Sequence, residues 1–134
     1  MQPLQVFIIT PFDRDGQRVQ NAVRGAIEEA GFRVVQHSDA FRPGAELTLS
    51  ILDSIREADL IIADVNHQNP NVLFEMGFAH ALRKPTILLV DIKSGSSLPS
   101  DLAGLLYITY DPANIRGLAD RVKAETRAVA APSA

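Results

Sequence analysis

Residues 58–90 read ADLIIADVNHQNPNVLFEMGFAHALRKPTILLV, and this stretch contains the repeating unit of the fold. A short apolar run at residues 60–63 ends at Asp64, and such runs are typical of strands buried on both faces of a parallel sheet. A second apolar run occupies residues 86–90, directly after Pro85. The stretch therefore predicts two buried strands separated by one connecting segment.

The connecting segment begins with a helix-start signal. Asn69 accepts hydrogen bonds from the free amides of a first turn, and Pro70 is tolerated at the first helical position. We predict a helix from residue 70 to about residue 83. Its apolar side chains lie all round the cylinder between residues 72 and 81, so we expect burial on several sides. Glu75 is the only acidic residue in that range.

The same alternation of strand and helix continues along the rest of the chain. We predict strands at residues 5–10, 32–36, 60–64, 86–90 and 105–109, and helices at 17–30, 47–58, 70–83 and 112–127, with a turn at 13–17. Strict alternation with short connections indicates a three-layer α/β domain with a five-stranded parallel sheet in the order 2-1-3-4-5. We expect one domain at residues 1–127 and a flexible tail at 128–134.

Ligands of such sheets bind beyond the carboxyl ends of the strands, at the point where the strand order reverses. Here that point lies between the first and third strands. It directs attention to Thr10, Pro11, Phe12 and Asp13 after the first strand, and to residues 64–75 after the third.

Composition narrows the classes of function. The chain has 134 residues, 46% of them hydrophobic, a net charge of -3 and no cysteine. The absence of a basic excess argues against long nucleic acids as partners, while small nucleotides remain compatible with it. The lack of cysteine fits a cytoplasmic location, and no run approaches the roughly 20 apolar residues of a membrane span.

Several common site types find no support in the sequence. The three histidines, His37, His67 and His80, lack close metal-ligand spacing. There is no glycine-rich dinucleotide or P-loop motif, no nucleophile elbow, and no acidic pair after the first strand of the kind that a receiver domain needs. We therefore expect neither a metal nor a bound cofactor.

Two acidic residues from different elements are predicted to lie at the cleft. Glu75 lies on an otherwise apolar helix, where an unpaired carboxylate costs several kcal/mol unless it has a partner or a task. Asp64 ends the third strand. Both also have structural interpretations: Glu75 as a residue near the helix start that satisfies backbone amides or faces solvent, and Asp64 as a residue that caps or orders a loop.

The residues from Asp64 onward resemble a known signature. The segment DVNHQNPNVLFEMGFAHALRKPTILLV is similar to that of nucleoside 2-deoxyribosyltransferase-like proteins, and to the Asn-Val-x-Phe-Glu-x-Gly block of bacterial TIR-like domains in antiphage effectors. The opening VFIITPFD at residues 6–13 resembles the first strand and Pro-Phe loop of the deoxyribosyltransferase-like proteins.

This resemblance implies a flavodoxin-like fold and cleavage of the bond between a sugar C1′ and a base. Glu75 takes the place of the nucleophile or cation-stabilising carboxylate, and Asp64 a polar role toward base or sugar. The predicted substrate-binding residues are Thr10, Pro11, Phe12, Asp13, Asn69, Asn71 and Gly77. Gly77 in particular leaves room for a ligand or for the neighbouring strand.

The predicted function is cleavage or transfer of the N-glycosidic bond of a nucleoside, nucleotide or NAD. The alternative is a non-catalytic TIR-like module that binds nucleotides or oligomerises in signalling or antiphage defence. The apolar third helix predicts a homo-oligomer in either case. The expected partners are therefore a small nucleoside, nucleotide or NAD and a second copy of the chain, without a membrane.

Overall fold

The structure, a computed structural model, describes residues 4–11, 13–35, 47–65, 70–93 and 106–131. The described elements follow one another in a single alternating series: β1 (Gln5–Ile9), α1 (Arg14–Glu29), β2 (Arg33–Val35), α2 (Leu47–Glu57), β3 (Leu60–Asp64), α3 (Pro70–Ala81), β4 (Thr86–Asp91), β5 (Leu106–Tyr110) and α4 (Ile115–Ala130). Phe12 and Asn69, two predicted site residues, lie outside the described residues, as do His37 and His67.

The five strands form one sheet in the order β2-β1-β3-β4-β5, and every strand pair is parallel. The predicted fold class and strand order are thus confirmed. The order reverses between β1 and β3, whose registers place Ile9 beside Ala63. The carboxyl ends of β1 and β3 consequently meet at one rim, as the sequence predicts.

Alternate strand residues face two separate core layers. α1 and α4 cover one face of the sheet, and α2 and α3 cover the other. The first layer contains Val6, Ile8, Val19, Val23, Ile27, Leu60, Ile62, Ile87, Leu89, Ile108, Tyr110, Leu118 and Val122. The second contains Phe7, Ile9, Ile51, Ile55, Ala58, Ile61, Ala63, Val65, Val72, Met76, Ala79 and Leu88. A strand residue's parity therefore decides which pair of helices it meets.

α1 begins earlier than the sequence pattern predicts. The segment expected to form a turn at residues 13–17 is instead the N-cap and first turn of the helix. The Asp13 carboxylate accepts a hydrogen bond from the Gly16 amide at 2.7 Å, which satisfies one of the free donors at the helix start. Gly16 suggests a turn in sequence, but in the structure it lies buried inside the helix.

β4 and β5 each end one residue beyond the predicted strand, at Asp91 and Tyr110. At the other end of the chain, α4 starts at Ile115, after the Asn114 cap, and continues to Ala130. The helix predicted at residues 112–127 is therefore displaced by three residues at each end. These small shifts matter because Asp91 and Tyr110 both belong to the candidate site described below.

α3 differs from its prediction in burial. Only Val72, Met76 and Ala79 are buried, all on the side facing the sheet. Phe74 is 58% exposed, so the expectation that this apolar helix is covered on several sides is wrong for the described chain. In the described ranges, no helix combines the length and apolarity that crossing a membrane requires.

Candidate functional site

A cleft of about 80 Å³ lies at the carboxyl rim of the sheet, on the face covered by α1 and α4. It spans the rim from the end of β1 to the end of β5. The described residues that line it are Pro11, Asp13, Asp15, Gly16, Arg18, Val19, Asp64, Asp91, Tyr110, Pro112 and Ile115. The structure therefore brings together three of the predicted site residues, Pro11, Asp13 and Asp64, at the expected rim.

Asp64 lies at the floor of the cleft and is only 2% exposed. It has the same parity along β3 as Leu60 and Ile62, so its side chain projects toward α1 and α4. The hydroxyl of Tyr110 donates toward Asp64 Oδ2 at 3.5 Å, across the intervening strand β4. Asp64 is thus a buried carboxyl group held beside a phenol.

The α1 side of the cleft is built by close packing of the first helical turn. A side chain on Gly16 would collide with the backbone carbonyl oxygen of Pro11, so only glycine allows the helix to start so near β1. Asp13 is the N-cap of α1, and it also lines the cleft. Its proposed contact with substrate would be additional to this capping role.

The other described candidates lie away from the cleft lining. The buried Thr10 donates its hydroxyl hydrogen to Gln20 Oε1 at 2.8 Å, and this bond ties the end of β1 to α1. Asn71 and Gly77 are exposed on α3. A Cβ on Gly77 would meet no described atom within 4 Å, so the neighbouring strand does not require glycine at this position.

Glu75 is half-buried in the second turn of α3. Burial raises the pKa of its carboxyl group to about 7, from 4.5. The described part of the chain provides no hydrogen-bond or ion-pair partner for it, and desolvation is the cause of the shift. Burial removes the solvation that stabilises the ionised carboxylate. A positive charge placed beside such a group therefore favours its ionised form strongly.

Glu75 and Asp64 approach the rim from opposite faces of the sheet. α3 packs on the second core layer, whereas Asp64 points into the first. Of the described residues, Glu75 is not among those lining the cleft. The two carboxyl groups therefore lie on opposite faces of the sheet rather than in one pocket.

Asp91 and Tyr110 are the cleft residues that sequence reasoning missed at the strand ends. The sequence contains part of the signal for these two residues, because each directly follows an apolar run, as Asp64 does. Ending each predicted strand one residue early removed them from the candidates. Asp15 is absent from the predicted site for a related reason, because the sequence pattern predicts a turn where α1 begins.

The described residues that line the cleft carry unbalanced charge, with four aspartates against one arginine. Arg18 donates to the carbonyl oxygen of Pro112 at 3.5 Å, and Asp91 accepts from the Lys93 amide at 2.7 Å. Among the described residues, no group of three or more histidines, cysteines or acidic residues is arranged to hold a metal ion.

With this geometry in place, comparisons with known proteins identify the family. The family model described as CAP12/Pycsar effector protein, TIR domain, matches residues 5–112. The chain belongs to this TIR-domain family. The match takes in all five strands of the TIR domain, and it confirms the TIR-like resemblance drawn from the Asn-Val-x-Phe-Glu-x-Gly block. No curated protein matches the chain.

Solved structures show the same fold. A CMP N-glycosidase from Clostridium botulinum, BcmB, is 22% identical with a TM-score of 0.66, covering 88% of this chain and 97% of that one. A 2-deoxyribosyltransferase from Bacillus psychrosaccharolyticus is 16% identical with a TM-score of 0.65, covering 87% and 90%. The solution structure of BlsM is 19% identical with a TM-score of 0.68, covering 98% and 97%. The TIR domain thus shares its fold with a CMP N-glycosidase, a 2-deoxyribosyltransferase and BlsM.

Proposed function

We propose that this TIR domain cleaves the N-glycosidic bond of a nucleoside, nucleotide or NAD, with Glu75 as the carboxylate at C1′. The observation that carries the proposal is the half-buried Glu75 on α3, which has no partner among the described residues and whose pKa burial raises to about 7. Support also comes from the family match and from the shared fold with a CMP N-glycosidase and a 2-deoxyribosyltransferase.

The chemistry follows from charge. When the bond from C1′ to the base nitrogen breaks, its electron pair leaves with the base and positive charge develops at C1′ and the ring oxygen. A carboxylate at that position bonds to C1′ or stabilises the cation until water or a second base attacks. Because Glu75 is poorly solvated, its ionised form is disfavoured in the free protein and gains more from the developing cation than a solvated carboxylate would.

In this scheme Asp64 contributes a polar contact to the base or sugar from the opposite side of the rim. Pro11 and Asp13 line the same cleft, and Asn71 and Gly77 lie on α3, the helix that carries Glu75. The substrate would extend over the carboxyl end of β3, with C1′ toward α3 and another part toward the cleft.

The direct test is release of free base, measured by chromatography after incubation with NAD, cytidine 5′-monophosphate and a panel of ribo- and deoxynucleosides. Glu75→Gln is expected to reduce the rate by at least about a thousandfold, because it removes the negative charge but keeps the shape. Glu57→Gln, an exposed glutamate at the end of α2, is the matched control and should retain activity. Addition of a second labelled base distinguishes transfer from hydrolysis.

The pH dependence gives a second readout of the same residue. The ionised form is required, so kcat/KM should rise with pH and level off above about 7, the pKa that burial imposes on Glu75. Absence of base release by the parent protein, or equal release by Glu75→Gln, would contradict the proposal.

A second candidate function is a non-catalytic nucleotide-binding or oligomerisation module. The exposed Phe74 beside Glu75 favours it, because a large apolar side chain on a helix surface is a contact point for another molecule. Light scattering with and without nucleotides tests this candidate. Self-association that is lost in Phe74→Ser, together with no base release, would support the module over the enzyme.

A further inference from the structure

Tyr110 and Asp64 form a buried pair, and the proposed function gives a role to Asp64 but none to Tyr110. Both line the cleft, and they are 7% and 2% exposed respectively. The register places Tyr110 opposite Asp91, and Asp64 opposite Leu89. The Tyr110 side chain therefore leans back over β4 to bring its hydroxyl 3.5 Å from Asp64 Oδ2.

The contact between Tyr110 and Asp64 is long for a hydrogen bond between two oxygen atoms. An O–H···O hydrogen bond is usually about 2.7–2.8 Å long, and such bonds are often long in ligand-free sites. A phenol buried to this extent needs a hydrogen-bond partner, and Tyr110 has one at the rim of the sheet. Here the phenol reaches a carboxyl group that itself lines the cleft.

The charge of the cleft indicates which part of a substrate enters it. Four aspartates and one arginine line it among the described residues, so a phosphate group there would meet mainly like charge from them. Carboxyl oxygens instead accept hydrogen bonds from donors, which a nucleoside carries as sugar hydroxyls and as exocyclic amino groups on the base. A site built to accept from such a donor discriminates strongly against an analogue that lacks it.

We propose that Tyr110 is a positioning residue that holds Asp64 to receive a hydrogen bond from a donor group of the substrate, an amino group of the base or a sugar hydroxyl. This inference rests on the proposed function, because it assumes that a nucleoside occupies the rim of the sheet. Tyr110 acts through Asp64, and its contribution disappears when Asp64 cannot accept.

The experiment measures binding rather than turnover, by calorimetric titration in the Glu75→Gln background. The probes are cytidine, uridine, 2′-deoxycytidine and NAD. Tyr110→Phe keeps the ring and should weaken binding of cytidine about fivefold to tenfold. Asp64→Ala, which removes both acceptor oxygens, should weaken it at least as much, and the double variant no further than Asp64→Ala alone. Tyr107→Phe, an exposed tyrosine of the same strand, is the control and should bind as the parent does.

The probes identify the donor. If Tyr110→Phe weakens cytidine but leaves uridine unchanged, the amino group is recognised; if it leaves 2′-deoxycytidine unchanged, the sugar hydroxyl is recognised. Parental affinity of Tyr110→Phe for all four probes, additive effects in the double variant, or no binding of any probe overturns the inference. If the affinities change as expected but the parent protein releases no base, the proposed function is rejected. The role of Tyr110 and Asp64 in binding is then still supported.

Discussion

Glu75 occupies surroundings that oppose its own charge. Its carboxyl group is half-buried on α3, and burial raises its pKa to about 7. Folding therefore changes its affinity for protons, and the stability of the protein must depend on pH through this residue. The raised pKa, which in the proposed function favours interaction with a cation, can thus be measured without any substrate.

The sign of this dependence follows from the two pKa values. In the unfolded chain Glu75 titrates near its ordinary value of 4.5, and in the folded protein near 7. Between these values the folded state holds the proton more tightly, so its contribution to stability is fully present below about pH 4.5 and is lost as pH rises through about 7. Above that range the ionised carboxylate destabilises the fold.

Glu75→Gln should remove this dependence. At pH 8 we expect the variant to be more stable than the parent by on the order of 1–3 kcal/mol, after allowance for partial solvent exposure of the carboxyl group. At pH 4 the two should be nearly equal. Urea unfolding of both proteins from pH 4 to pH 8 provides the measurement. A difference that stays constant with pH would contradict the assigned cause.

Gly16 and Gly25 lie on the same helix and should respond oppositely to the same substitution. A Cβ on Gly16 collides with the backbone oxygen of Pro11, whereas one on Gly25 meets nothing within 4 Å. Gly16→Ala should therefore lower the free energy of unfolding by about 1–3 kcal/mol. Gly25→Ala should raise it by about 0.5–1 kcal/mol, because alanine loses less backbone entropy in a helix.

Thermal or denaturant unfolding of these two variants and the parent protein measures both effects. A stabilising Gly16→Ala substitution would show that α1 does not pack against the end of β1 as closely as described, and a destabilising Gly25→Ala substitution would show that Gly25 is not in open space. The Gly16→Ala result also concerns the cleft, because Gly16 and Pro11 both line it.

Among the elements, α1 and α4 are packed together along one face of the sheet. Val19, Val23 and Ile27 of α1 and Leu118 and Val122 of α4 share the same core layer. Lys123 and Glu29 add an ion pair between the two helices at the surface. The wall on the α1 and α4 side of the cleft is thus a rigid pair of helices, which suits a site that must hold side chains in fixed positions.

Thr126, on α4, is the exception within this interface. It is fully buried, and its hydroxyl finds no hydrogen-bond partner in the described part of the chain. A buried hydroxyl without a partner costs roughly 1–3 kcal/mol. Thr126→Val replaces the hydroxyl with a methyl group of similar size and should raise the free energy of unfolding by about 1 kcal/mol.

The matched control is Thr126→Ser, which keeps the hydroxyl and loses the methyl group. It should lower stability by about 1 kcal/mol, as deletion of a buried methyl does. Chemical unfolding of the three proteins at one pH measures both effects. A valine variant less stable than the parent would mean that the hydroxyl is satisfied.

α3 shows how far an apolar composition predicts burial. Its buried residues, Val72, Met76 and Ala79, follow the helical repeat, but Phe74 points to solvent. The sequence does not distinguish the two kinds of position because both are apolar. The exposed side of this helix remains the expected place for self-association.

In the whole molecule, stability should be graded across the sheet. β3 lies between β1 and β4, and all five of its residues are buried. β2 is an edge strand of three residues, none of them buried. Amide hydrogen exchange followed by NMR should therefore show the strongest protection in β3 and the weakest strand protection in β2. Equal protection of both strands would contradict a graded sheet.

The parallel sheet and its order could be predicted because they depend on patterns that are local in the chain. Apolar runs, helix repeats and the Asn-Pro start of α3 each involve neighbouring residues, and the connectivity of parallel strands leaves few arrangements. The placement of Asp64 at the rim follows from the same information. So does the family, because the Asn-Val-x-Phe-Glu-x-Gly block is contiguous.

The composition of the cleft depended on contacts between distant residues. Tyr110 meets Asp64 across another strand, and Asp91 joins them only because β4 and β5 extend one residue further than their apolar runs suggest. One residue decides which face of a sheet a side chain occupies, and sequence patterns locate strand ends less finely than that. The half-burial of Glu75 likewise depends on how α3 packs against the rest of the fold, so its raised pKa required the folded arrangement.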